Sequence, residues 1–309
     1  MGGLSGFGFF GSVTTVGKGD EGSAGRDIGL ASRTAIYSML GFVAVLFVAP
    51  LVWMFSTSIK PADQALSTPP RLLPSPASDT LKIASENYQA VWNDPVVDFP
   101  LYFRNTLIVA VLSVIGMVLS SAIVAYGFAR VKWRGKKWVF PVMLATMMIP
   151  FPVVMVPLYV IFKQLGWIGT FSPLWIPAWF GGAFNIFMLR QFYMTIPKEL
   201  DEAARIDGCT HWGIFWRIIL PLSRPALTVV ALFHFIGVWN DFLGPLIFLN
   251  DRDQFTLALG LQLYQSQTGN TPWHLLMAAS TMVVAPVLVL FLLAQRTFIE
   301  GIATSGLKE

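Results

Sequence analysis

Acidic side chains, small residues and a glycine are gathered in one stretch of this chain, Arg190 to Pro225, which reads RQFYMTIPKELDEAARIDGCTHWGIFWRIILPLSRP. Pro197 is a residue that a first helical turn tolerates, and Glu199, Asp201 and Glu202 then fall where the helix dipole favours carboxylates. Gly208 can take the left-handed conformation that ends a helix. The spacing predicts a short helix over about 197–206 and a second helix from near Thr210. That second helix puts Trp212, Phe215, Trp216 and Ile219 at helical spacing, until Pro221 and Pro225 reset the chain. The chemistry on offer is recognition: Ala203 and Ala204 let another surface approach the backbone closely, while Glu202 and Asp207 present charge to basic or amide groups. An amphipathic helix lying on a membrane surface accounts for the same residues nearly as well.

Other reactive groups are few. Cys209 is the single cysteine, so no internal disulfide or thiol pair is available. His211, His234 and His274 are too dispersed for a metal site. Asp241 sits in an apolar stretch, where an ionised carboxylate costs roughly 2.5 to 3.5 kcal/mol and is a functional candidate by default. With Trp239 and Asn240 it could line a pathway, since aromatic faces beside amide and carboxylate groups suit the CH faces and hydroxyls of sugars; a partly hydrated packing role near the end of its apolar stretch is the equal alternative. As a catalytic pair, Asp241 and His234 fail: seven residues apart they share a helix face but lie about 10 Å apart along its axis, beyond hydrogen-bond reach.

The elements that must position these residues are apolar. Of the 309 residues, 55% are hydrophobic and only 12% charged, too few charges for a water-soluble surface. A helix needs about 20 apolar residues to cross a bilayer, because unpaired backbone groups are costly in lipid. Six segments meet that demand: 34–55, 105–129, 138–162, 165–189, 226–249 and 275–295. The expected fold class is therefore all-α, a polytopic membrane protein with six transmembrane helices. Residues 1–33 read as a disordered Gly-rich tail and 34–309 as the membrane domain. The outward loop 56–104, rich in proline, should be ordered loop or short helix rather than a separate domain. Prolines 141, 150, 152 and 157 in the third span, and 173 and 177 in the fourth, predict kinks.

Placing both termini and the loops after spans two and four on one side gathers fifteen of the twenty-one basic residues there, which makes that side cytoplasmic. The run Arg130, Lys132, Arg134, Lys136 and Lys137 reads as part of this topological anchor, and the net charge of +4 is no argument for nucleic acid.

Glu202-Ala203-Ala204, Asp207-Gly208, Ile218 and Leu220-Pro221 resemble the EAA motif of permeases in binding-protein-dependent ATP-binding-cassette importers. The likeness extends over about residues 34–309. Asn105-Thr106, the segment Ala125 to Arg130, Ile149-Pro150, Pro157-Leu158-Tyr159, Trp239-Asn240-Asp241-Phe242 and Phe298-Ile299-Glu300-Gly301 resemble the smaller, maltose-type permease of carbohydrate importers. The resemblance implies an importer permease fold in a prokaryotic plasma (inner) membrane, with a cytoplasmic coupling loop over about 197–221. It implies contact with an ATPase through Glu202, Ala203, Ala204, Asp207, Gly208, Phe215, Ile218, Leu220 and Pro221. The implied partners are a second permease subunit, an ATPase dimer, an extracytoplasmic sugar-binding protein and membrane lipid. The chain departs from the family pattern in its Gly-rich amino-terminal tail and in ending Ser305-Gly306-Leu307-Lys308-Glu309.

The phosphate cradle of an ATPase, G-x-x-x-x-G-K-[ST], is missing from the sequence. ATP and Mg are therefore expected in the partner ATPase, with no cofactor and no enzymatic activity in this chain. A glycerol phosphate or polyol importer is the alternative within the class. An ion-coupled carrier would need ionisable relays and repeated halves, and the spans offer one aspartate and no clear repeat.

Overall fold

A computed structural model describes residues 30–265 and 271–306, and every regular element among them is helical. The Gly-rich stretch up to residue 29 lies outside the described residues, and Leu30 to Arg33 already belong to helix α1 (Leu30–Ser58).

The chain divides after Pro50 into two units. The described part of the first is the beginning of α1, whose large apolar side chains, Tyr37, Phe42 and Phe47 among them, are exposed. That is the pattern of a helix whose solvent is lipid.

In the second unit the loop predicted over 56–104 contains α2 (Thr80–Trp92), tied down by Asn87. Its buried amide donates to the carbonyls of Ser58 and Lys60, each at 2.8 Å. The central element is α3 (Phe99–Ala129), 31 residues long, and buried clusters form toward its two ends. Toward its start Phe99 and Tyr102 pack with Trp239, Leu257 and Ala279. Toward its end Ala122, Ala125, Tyr126 and Phe128 pack with Ile186, Tyr193, Ile214 and Phe215. Small residues along α3 let neighbours approach closely. Gly116 is covered by the indole of Trp179, which donates to the carbonyl of Leu112 at 3.1 Å.

Three helices are long and apolar enough to cross a membrane: Ser32–Ser58, Phe99–Ala129 and Trp273–Gln295. Two bent pairs raise that number to at most five among the described residues. Three of the six expected spans are broken among the described residues, two of them in the proline-bearing segments where the sequence predicts kinks. The 138–162 segment is two helices, α4 (Lys136–Ala145) and α5 (Phe151–Gln164), and the pair is bent by 100°. Ile149 is extended before Pro150, as the ring of a following proline demands. The 165–189 segment is a short helix α6 (Ser172–Trp175), a 3-10 stretch to Phe180, and only then α7 (Ala183–Thr195). Gly166, Gly169 and Gly181 there all have positive φ, which no continuous right-handed helix permits.

The remainder of the chain holds α8 (Glu199–Ile206), α9 (His211–Ile214), a π turn over Phe215–Ile219, α10 (Leu220–Leu222) and α11 (Arg224–Trp239). The predicted 226–249 span therefore stops at Trp239 and resumes as α12 (Leu243–Phe248), followed by α13 (Leu257–Leu261) and α14 (Trp273–Gly306). Helix α14 runs well past the predicted 275–295 and packs on α11 and α2.

Candidate coupling surface

Helix α8 ends in a Schellman motif. Gly208 at φ 82° lets its own N–H bond to the Arg205 carbonyl at 3.0 Å and the N–H of Cys209 bond to that of Ala204 at 2.8 Å. The next helix is capped by Thr210, whose hydroxyl oxygen accepts from the N–H of Gly213 at 3.3 Å. Two short helices joined by Asp207 to Thr210 follow, close to the spacing expected from sequence.

The wider turn over Phe215–Ile219 lies directly before Pro221, whose missing N–H interrupts the regular ladder. At Ser223, wholly buried, the hydroxyl donates to the carbonyl of Ile219, and the pair formed by His211–Leu222 and Arg224–Trp239 bends by 76°. Ser223 thus bridges the break, its N–H bonded back to Ile219 and its carbonyl accepting from the N–H of Leu227 at 2.9 Å.

The element is held to α3 by three contacts. The Tyr126 ring packs on Phe215 with centroids 5.2 Å apart, and its hydroxyl lies 3.4 Å from His211 Nδ1. Ala204, Ile214 and Phe215 are buried in one cluster with Ala122 and Ala125 of α3. The third contact is ionic. Arg130, next after α3, directs Nη1 to Asp201 Oδ2 at 3.5 Å, and the two side chains are only 3% and 9% exposed. Its Nη2 donates to the carbonyls of Tyr193, at 2.7 Å, and Ile196. One guanidinium thus caps the end of α7 and pairs with the first turn of α8.

The predicted coupling residues separate into two groups. Glu202, Ala203, Asp207, Gly208 and Pro221 are exposed. Ala204 and Phe215 are buried, and Ile218 and Leu220 are half-buried against the same core. The small side chain at 204 thus serves close packing within the chain. Asp201 turns inward rather than simply facing the dipole, and Arg130 is more than a topological charge. Ile206, which the sequence reading left without a role, projects from the tip of α8 and is 86% exposed. Trp212 and Trp216, stacked 6.3 Å apart, are exposed as well.

The family described as "Binding-protein-dependent transport system inner membrane component" matches residues 117–303. The chain belongs to that family. This permease is 33% identical over 271 residues to the arabinooligosaccharides transport system permease protein of Halalkalibacterium halodurans, covering 87% of the chain and 95% of that relative. It is 33% identical over 268 residues to the trehalose/maltose transport system permease protein of Thermococcus litoralis, covering 86% and 93%. It is 32% identical over 272 residues to the diacetylchitobiose uptake system permease protein of Streptomyces coelicolor, covering 87% of each. Its fold is similar to that in the crystal structure of a bacterial ABC transporter involved in the import of the acidic polysaccharide alginate. The TM-score is 0.75 at 22% identity, with 87% of this chain and 98% of that one covered. The permease is a multi-pass membrane protein and a transport subunit.

The suggested pathway residues lie at the break after α11. Trp239 is buried, its indole donating to the Val283 carbonyl at 3.1 Å. Asn240 is exposed and donates to the carbonyl of Ile236 at 2.8 Å. Asp241 is half-buried, and its Oδ1 accepts from the N–H of Gly244 at 3.0 Å, which shapes the entry to α12. His234 pairs with Ser113 at 2.7 Å across α11 and α3. Among the described residues no group of three or more histidine, cysteine, aspartate or glutamate side chains could hold a metal.

Proposed function

We propose that this permease imports oligosaccharides, driven by ATP hydrolysis in a separate ATPase dimer that docks on α8, Gly208 and α9. The observation that carries the reading is the continuity of an exposed knob (Glu202, Ala203, Ile206 and Asp207) with α11 through the buried elbow at Ser223. In this reading a force applied to the knob is carried to α11 through the turn Asp207 to Thr210 and the bend at Ser223. ATP binding would close the ATPases, draw on the knob and favour an outward-open arrangement, and hydrolysis would reset it. Such an equilibrium moves only through differential affinity for its two states.

In this reading ATP and Mg belong to the ATPase, and a second, related permease completes the pathway with Asn240 and Asp241 at its wall. An extracytoplasmic binding protein delivers the sugar. Both termini are cytoplasmic, and six crossings result if each bent pair counts as one and the broken segment from Leu165 to Thr195 as another. The substrate class rests on the sugars named for the relatives. Glycerol phosphate and polyols are the competing cargo.

The test is uptake by the reconstituted assembly with mono-, di- and oligosaccharides, glycerol phosphate and a polyol. ATP-dependent accumulation of an oligosaccharide is expected. Accumulation driven by an ion gradient without ATP would overturn the reading.

A further inference from the structure

A cavity of about 560 Å³ lies between the segment that follows α3 and the helix α8. Lys132, Arg134, Lys136, Lys137, Lys198 and Arg205 line it, and Arg130 forms part of its floor. Two carboxylates also line it, and Asp201 is already paired with Arg130. The cavity therefore holds a large excess of positive charge that the protein does not itself neutralise. Helix α4 starts at its edge with Gly135 in the cap position, no side-chain cap and no acidic residue in the first turn. The positive end of the helix dipole adds to the attraction for an anion.

The surroundings indicate which anion. Helix α4 leaves the cavity with an exposed apolar flank of Trp138, 80% exposed, Val139 and Val142, and Trp133 is exposed beside it. Tryptophan at the end of an apolar helix, next to a basic pocket, marks the level of lipid headgroups.

We propose that this cavity binds the phosphate headgroup of an anionic phospholipid, with the acyl chains lying along the outer face of α4. The lipid then bridges the segment after α3 to α8, beside the docking knob. This inference goes beyond the transport reading and needs only that the cavity lie at the membrane interface.

The test uses the full permease, purified with the subunits that accompany it, in nanodiscs mixing phosphatidylglycerol with phosphatidylcholine. Native mass spectrometry then counts retained lipid. The wild type should retain phosphatidylglycerol over phosphatidylcholine, and K132Q/R134Q/K136Q/K137Q should reduce that preference roughly tenfold or more. The milder K132Q/R134Q variant, altered only at exposed loop positions, should lose part of it. Equal retention of the two lipids by the wild type would overturn the proposal even if the fourfold variant failed to fold. Displacement of the lipid by inorganic phosphate would assign the cavity to a soluble anion and overturn it. Retention seen only after the other subunits are stripped away would make the cavity a protein seat and overturn it as well.

Discussion

Arg130 lies 3.5 Å from Asp201, 71 residues further along the chain, with both side chains almost wholly out of contact with solvent. The same guanidinium holds two carbonyls at the end of α7. It thereby fixes the angle at which α8 leaves the bundle. Removing one partner of a buried pair leaves the other charge uncompensated. R130Q should lower stability by about 3 kcal/mol, read as a fall in the thermal midpoint of the purified permease, and should reduce uptake. D201N, which keeps shape and one acceptor, should cost less.

Gly208 has open space around the position of a missing Cβ, so only its backbone conformation resists substitution. A left-handed residue other than glycine costs roughly 1 to 2 kcal/mol, least for asparagine. Uptake should fall in the order wild type, G208N, G208V, with membrane insertion unchanged. Equal uptake by all three would show that the helix end carries no force.

Gly116 and Gly127, both on α3, form an internal control. A Cβ at Gly116 would come within 2.2 Å of the Trp179 ring, whereas nothing lies within 4 Å of one at Gly127. G116A should destabilise by about 1 to 3 kcal/mol. G127A should be neutral, as thermal melts of the purified protein would record.

Lys60 is buried at the end of the turn after α1, its ammonium 4.4 Å from the centroid of the Trp53 ring. Burial lowers its pKa below the ordinary value of 10.5. The folded state therefore disfavours the charged form. That penalty is complete below the folded pKa and fades as pH rises toward 10.5. K60M should be at least as stable as wild type near neutral pH, and the wild type should gain on it as the pH is raised. A constant difference between their melting curves across that range would contradict the assignment.

The short helices around Gly208 were legible because capping and chain reversal are local. Pro197, Gly208 and Thr210 mark boundaries within a few residues, and the observed α8 begins only two residues after Pro197. The pairing of Arg130 with Asp201 was not legible, since it joins two segments whose proximity depends on the packing of α3, α7 and α8. Nothing in a basic run distinguishes its one buried member. The spans were legible as apolar material, and the bend at Pro150 was legible from its proline, but the breaks at Gly181 and after Trp239 were not. Hydrophobicity sets what lipid tolerates, while Pro150, the positive φ at Gly181 and the Asp241 turn decide where the backbone bends. Ile206 escaped notice because an apolar residue on a short helix reads as core until its exposure is seen.

The most direct measurement is site-specific cross-linking from the exposed tip of α8. The I206C variant, in a C209S background, would be treated in native membranes with a short thiol-to-amine cross-linker and the product identified by mass spectrometry. The account predicts a single adduct with an ATPase subunit, changing in yield when a non-hydrolysable ATP analogue is added. Reaction of residue 206 only with reagent supplied from the extracytoplasmic side, with no ATPase adduct, would contradict it.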